Sequence, residues 1–244
     1  IPKGLVGSEM CIRDRDHVMG VKTEKGILNA DEIIIAAGLG VTDLLSSINI
    51  NFEIKKESCV QIFGISGSGI TSLFKILTLN EKASKGSIIV DGKNVNRKSR
   101  SEKLKFIRET GIISEDTVIL EDLTVMENIE IPLRIKGESS KISQAKVSEI
   151  LKILKLEHKK NSKGYELSRS EKRLVYIGRC IIKNPKILIA DNIFSQIDSN
   201  QKEIIEKLIN ILVEIKTTIV LLTNEKLVEN HSFLNFDIKD LTSD

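Results

Sequence analysis

Cysteine is scarce: the 244-residue chain has three, Cys11, Cys59 and Cys180. Their odd number and wide spacing offer neither a disulfide framework nor a metal-ligand set, which fits buried or incidental thiols in a reducing compartment. Charge of one sign is lacking too. With 37 Lys and Arg against 34 Asp and Glu the formal charge is +3, and no basic run is dense enough to leave an electrostatic footprint for nucleic acid. No apolar stretch reaches the roughly 18 to 20 residues that a membrane-spanning helix needs. The N-terminus also lacks the charged-then-apolar order of a secretory signal. A cytoplasmic protein with no nucleic-acid partner is expected. His17, His158 and His231 have no mutual spacing that suggests a ligand set and read as surface residues. There is no internal repeat and no low-complexity linker.

What is present suffices for a sizeable core: 41% of residues are hydrophobic, and the length suits one large α/β domain or two small ones. Residues 1–44 differ from the rest. Glu9-Met10-Cys11-Ile12-Arg13-Asp14-Arg15 resembles a translated sequencing adapter, so a foreign or mobile segment is expected there. Residues 20–38 read as strand, turn and strand ending in Ala36-Ala37-Gly38. They resemble the strand pair before the Ala-Ala-Gly turn of FAD-dependent amino-acid oxidases, but no G-x-G-x-x-G fingerprint accompanies them and flavin binding does not follow. An antiparallel edge sheet is the alternative.

From residue 45 the pattern is regular. Asn51–Lys56 and Cys59–Phe63 are short β-rich runs, and Gly64-Ile65-Ser66-Gly67-Ser68-Gly69-Ile70-Thr71-Ser72 leads into an apolar-periodic segment, Leu73–Leu79. Strand, glycine loop and helix is the context a phosphate-binding loop requires. Ile88–Val90 runs into an Asp91-Gly92 turn, and Gly111–Ile113 is a further strand. A helical subdomain is expected over about 116–180, where Val147, Ile150, Leu151 and Leu154 mark one apolar face. Ile187–Ala190 and Thr218–Leu222 are continuous apolar runs suited to parallel strands covered on both faces. Between them Ile204, Ile205, Leu208, Ile211, Leu212 and Ile215 form a helical stripe. The fold class expected is α/β, a P-loop NTPase with a mostly parallel doubly wound sheet and an antiparallel β portion near the N-terminus.

In G-x-x-x-x-G-K-[ST], small residues let consecutive N–H groups wrap phosphates at a helix N-terminus, where the dipole favours negative charge. Gly64, Ser66, Gly67, Ser68, Gly69, Thr71 and Ser72 suit that role, while Ile70 stands at the lysine position. Taken alone, the loop reads equally as a plain tight turn. Further segments follow in order. They are Ser114-Glu115 after the Gly111 strand, Leu167-Ser168-Arg169-Ser170-Glu171, then Arg179, Asn184-Pro185-Lys186, Ile187–Asp191, Ser195-Gln196-Ile197-Asp198 and Thr223-Asn224. Together they resemble the ABC-transporter ATPase domains over roughly residues 45–235. Residues 120–133, Leu120-Glu121-Asp122-Leu123-Thr124-Val125-Met126-Glu127-Asn128-Ile129-Glu130-Ile131-Pro132-Leu133, are close to the branch of FtsE, LolD and MacB.

The resemblance implies ATP and Mg²⁺ as cofactors, with Thr71 and Asp191 as metal ligands and Ser168, Arg169, Ser170 and Glu171 as a signature that serves a partner's site. It also implies departures. Ile70 replaces lysine, Glu115 the Q-loop glutamine, Arg169 and Ser170 the signature glycines, Asn192 the catalytic glutamate and Asn224 the switch histidine. Phosphoryl transfer depends on positioning and on neutralising charge at the γ-phosphate. An amide at Asn192 cannot take a proton from an attacking water. A lost charge-assisted contact costs about 1.5 to 3 kcal/mol, roughly ten- to a hundredfold in affinity. Binding that survives and hydrolysis that fails is the expectation.

Several residues have a plainer reading beside the functional one. Asp191 also suits a turn or helix cap, and Ser168 an N-cap of the helix from Arg169 to Lys183. Leu120, Leu123, Val125, Met126 and Ile129 suit either a groove for a membrane partner's coupling helix or core packing. The whole is expected to be the ATP-binding subunit of an FtsE-like or LolD-like complex on the inner face of the cell membrane. Its partners would be a permease of the FtsX or LolC/E kind and a second ABC domain, in a homodimer or heterodimer. A nucleotide-independent partner of a permease, or the degenerate half of an active heterodimer, are the alternatives.

Overall fold

A computed structural model describes residues 10–14, 17–23, 26–29, 33–39, 48–65, 67–83, 85–116, 118–226 and 233–243. Ser66 and His231, named above, lie outside them, as do residues 1–9 and 40–47.

The N-terminal strands are β1 (Met10–Asp14), β2 (His17–Thr23), β3 (Gly26–Asn29), β4 (Ile33–Leu39), β5 (Ile48–Ile54) and β6 (Cys59–Phe63). Then come α1 (Ile70–Leu77), β7 (Lys85–Val90), β8 (Lys93–Asn94), α2 (Arg100–Glu109) and β9 (Thr110–Ile113). Helices α3 (Val125–Lys136), α4 (Ser140–Ile153) and α5 (Arg169–Ile181) follow. The chain closes with β10 (Ile187–Asp191), α6 (Ser199–Glu214), β11 (Thr218–Thr223), β12 (Leu234–Asp237) and β13 (Thr242–Ser243).

The apolar runs read from the sequence form the middle of a parallel sheet in the order β12-β6-β11-β10-β9. Alternation along each strand feeds two cores. Leu188, Ala190, Ile219 and Leu221 pack with the apolar faces of α3, α4, α5 and α6. Ile189, Val220, Leu222, Val60 and Ile62 pack with α1 and with Ile54 and Ile88 of the antiparallel strands. Both faces are therefore covered, as expected of parallel strands without polar alternation.

A second sheet is antiparallel, in the order β13-β5-β4-β7-β8. Of the residues 20–38 read as a strand pair, β3 pairs with β2 in a separate three-stranded sheet, β1-β2-β3. β4 instead lies between β5 and β7, so the segment read as one pair is divided between two antiparallel sheets.

In the helical region α3 packs on α4 and α5. Val125 and Ile129 are wholly buried in the core and Met126 packs against it, whereas Leu120 is half exposed. Asn128, itself buried, bonds the N–H and C=O of Leu120 and the carbonyls of Leu123 and Thr124. One amide thus fixes the loop that carries Leu120 outward.

Candidate functional site at the carboxyl ends of the parallel strands

β6, β9, β10 and β11 are parallel neighbours, so the loops that follow them gather at one edge of the sheet, where ligands of open α/β sheets bind. The loop after β6 is built for close approach. Gly64 donates its N–H to Thr223 O at 3.1 Å. A Cβ there would lie 2.4 Å from Ile238 Cγ2 and 2.5 Å from Ser68 Oγ, so only glycine fits. Gly67 and Gly69 hold φ of +86° and +94°, which glycine adopts without steric cost. Gly69 is the N-cap of α1 and offers no side-chain cap, leaving the first-turn N–H groups to seek another acceptor.

The side chains that follow point in different directions. Thr71 is exposed and Ser72 half-buried. Ile70 is 3% exposed and packs in the core with Ile189 and Leu222. The residue at the lysine position is thus part of the hydrophobic interior. Ser68 Oγ is buried with no hydrogen-bond partner among the described residues.

Asp191 ends β10 and is 4% exposed, with Oδ1 likewise buried and unpartnered. Burial, then the carboxylates of Glu115 and Asp116 beyond β9, push its pKa up to about 6. A buried acceptor without a donor is costly, and a cation at this edge would satisfy it. The next residue, Asn192, has φ +48°. Its N–H donates to Leu222 O at 2.8 Å and its Oδ1 accepts the N–H of Asn224 at 3.0 Å. Glu115 is exposed.

The signature residues are arranged otherwise. Ser168 caps α5 with a reciprocal box: Glu171 N–H donates to Ser168 Oγ at 3.3 Å, and Ser168 N–H donates to Glu171 Oε2 at 2.8 Å. Lys159 pairs with Glu171 at 2.8 Å. Arg169 and Ser170 are exposed on the first turn. Among the described residues no hydrogen bond or ion pair joins residues 168–171 to residues 64–72.

Sequence reasoning missed Arg173. Its guanidinium donates through Nη1 to Ser195 O at 2.8 Å and through Nη2 to Asn192 O at 2.7 Å and Ile193 O at 3.0 Å. No motif flags it; its signal is a cation one position before the buried Leu174-Val175 stripe, where a half-buried charge demands acceptors.

Comparison with known proteins decides the family. The family described as ABC transporter matches residues 48–195. The chain belongs to the ABC transporter family. Among ABC relatives, the methionine import ATP-binding protein of Francisella tularensis is 34% identical over 178 residues, 72% of this chain and 51% of its own length. That of Listeria monocytogenes is 32% identical, covering 72% and 53%. The chain spans about half the length of these curated ABC proteins. The solved dimer of the bacterial ABC transporter cassette MJ0796 superposes with a TM-score of 0.72 at 26% identity, covering 85% of this chain and 94% of that one. Its post-hydrolysis form, bound to ADP and Pi, gives 0.71 at 25%. The ABC cassette fold expected from the sequence is therefore the one found. Among the described residues no helix is long and apolar enough to cross a membrane.

Proposed function

We propose that this chain is the ATP-binding subunit of an ABC-type membrane complex, with a site that holds nucleotide and hydrolyses it poorly. The observation that carries the reading is the pair of orphaned buried oxygens, Ser68 Oγ and Asp191 Oδ1, set at the glycine cradle after β6 and at the end of β10, with β11 between the two strands. A Mg²⁺-phosphate group fits both: the N–H groups of Gly67, Gly69 and the first turn of α1 would hold phosphate oxygens, and Thr71 and Asp191 the metal, which neutralises phosphate charge when bound. Poor hydrolysis follows from the groups present. Ile70 brings no cation, and the Asn192 amide cannot accept a proton and is already bonded to Asn224.

The domain is read as residues 45–244, with its helical part over about 116–180, and β4 (Ile33–Leu39) adds an inner strand to its antiparallel sheet. A permease and a second ABC domain are its partners in this reading, on the inner face of the cell membrane. Exposed Leu120, Val118 and Tyr165 supply apolar contact area for a permease segment. The names of the relatives, matched over 178 residues, favour solute import over the FtsE-like or LolD-like branch, which rests on residues 120–133 alone.

Titration of the full chain with Mg·ATP tests the reading. Ligand at a hundred times its dissociation constant should add about 2.7 kcal/mol of stability. Absence of binding at millimolar Mg·ATP would overturn the nucleotide site, and turnover near about 1 per second or faster would overturn the impairment. Turnover appearing only on mixing with a second ABC subunit would identify the degenerate half of a heterodimer.

A further inference from the structure

We infer that Arg173 is a positioning residue that fixes the Asn192–Ser195 turn to α5, and through it the pose of Asp191 and Asn192. The inference rests on the proposed nucleotide site only for its ligand readout.

The turn after β10 is not self-supporting. Asn192 holds a left-handed φ of +48°, uncommon outside glycine though tolerated by asparagine. Its only internal closure among the described residues is the Ser195 N–H donated to Asn192 O at 2.9 Å. On the β11 side, Leu222 O and the Asn224 N–H bind the backbone and side chain of Asn192. On the other side Ile193 is buried in the core shared with α5, and the planar fork of Arg173 supplies the polar hold, reaching the carbonyls of Asn192, Ile193 and Ser195 at once. Three acceptors converging on one guanidinium hold a backbone in orientation as well as in place, a geometry an ammonium cannot copy.

The charge is costly to keep there. Burial pulls the Arg173 pKa below its ordinary value, Glu115 opposes that and Arg169 adds to it. Glu115 also bears on Asp191, so the guanidinium and the carboxylate of the proposed metal ligand share one neighbour. Arg173 lies four residues past Arg169 on the same helix, whose start is pinned by the Ser168–Glu171 box. Arg173 therefore links that helix directly to the turn beside Asp191, with no intervening loop.

The test uses the full chain and the substitutions Arg173→Gln and Arg173→Lys, read by native-state amide hydrogen exchange and by Mg·ATP titration. Loss of charge-assisted bonds predicts that R173Q speeds exchange at Ser195 and Asn224 by about tenfold or more, while amides inside α5 and β10 keep wild-type protection. R173K, which retains charge without the fork, falls between. Mg·ATP affinity drops in the same order, by about tenfold for R173Q. Wild-type exchange in both variants overturns the inference, as does a uniform acceleration over α5 and β10, which marks a merely structural arginine. If R173Q does not fold, R173K decides by itself: protection of Ser195 and Asn224 equal to wild type overturns the role. Should the wild type bind no nucleotide, the proposed function fails while the exchange order still judges Arg173.

Discussion

Asn192 Oδ1 accepts the backbone N–H of Asn224 at 3.0 Å, joining the two positions at which the resemblance places a catalytic glutamate and a switch histidine. The bond turns the β10 and β11 ends into one unit and occupies the Asn192 carbonyl oxygen with a structural partner. Under the proposed function the bond gives poor hydrolysis a specific form: the side chain at the position of the family's glutamate holds a neighbouring loop.

Replacing Asn192 tests that commitment. Asn192→Ala leaves the Asn224 N–H without its acceptor and sets a Cβ with no polar compensation at a positive φ, so stability should fall by about 1 to 3 kcal/mol in urea unfolding. Asn192→Gly loses the same bond but none of the backbone freedom, so it should cost less. An alanine variant as stable as wild type would show that the bond contributes nothing.

Ile70 is buried where a lysine is expected, so restoring the lysine pits packing against charge. Ile70→Lys loses core contacts with Ile189 and Leu222, and its stem must stretch to bring the ammonium to the loop. Stability should fall by about 1 to 3 kcal/mol. Mg·ATP affinity should rise roughly ten- to a hundredfold, the value of one charge-assisted contact. Fluorescence titration and urea melts on one preparation check both signs; unchanged affinity would mean that the lysine position no longer faces phosphate.

Much of this was legible beforehand because the chemistry resides in local pattern. Gly64, Gly67 and Gly69 announce a cradle through spacing, and the apolar runs at residues 187–190 and 218–222 announce buried parallel strands. What escaped depends on distant contacts. The pairing of β4 between β5 and β7 joins segments some fifty residues apart in sequence on the β7 side, and no local signal reports it. Arg173 sits in an ordinary run of helix formers, and only the turn placed under it by the fold reveals its use. Ile70 reads from the sequence as a missing cation; that it is also core follows only from its burial in the fold. Helix α2 buries no residue and so shows no apolar stripe, and its one local signal is the Ser99–Glu102 capping box.

The raised pKa of Asp191 has a sign that can be checked. A carboxyl that titrates near about 6 in the folded chain and near about 3.9 when unfolded binds more protons in the native state between those values. Stability contributed by this group is therefore full below about pH 4 and declines as pH rises through 6. Asp191→Asn removes the burial penalty, so it should be more stable than wild type at pH 7.5 and should flatten that part of the profile. Mg·ATP affinity of the wild type should move the opposite way, rising through pH 6 as the carboxylate ionises. Denaturant melts from pH 4 to 8 give the first result, and an Asn variant less stable at pH 7.5 would contradict it.

The signature helix offers the cleanest separation of structure from site. Ser168 and Glu171 exchange backbone bonds, so each single substitution, Ser168→Ala or Glu171→Ala, should lower stability by about 0.5 to 2 kcal/mol. Because the box is reciprocal, the double variant should cost less than the two singles added, a coupling that a double-mutant cycle measures. Glu171→Ala also frees Lys159, paired with it at 2.8 Å, and that loss should shrink in high salt while the Ser168 effect should not. Additive costs would mean the two residues act separately. A drop in Mg·ATP affinity for Ser168→Ala that appears only at protein concentrations where the chain self-associates would show that the capping serine also meets a partner's nucleotide.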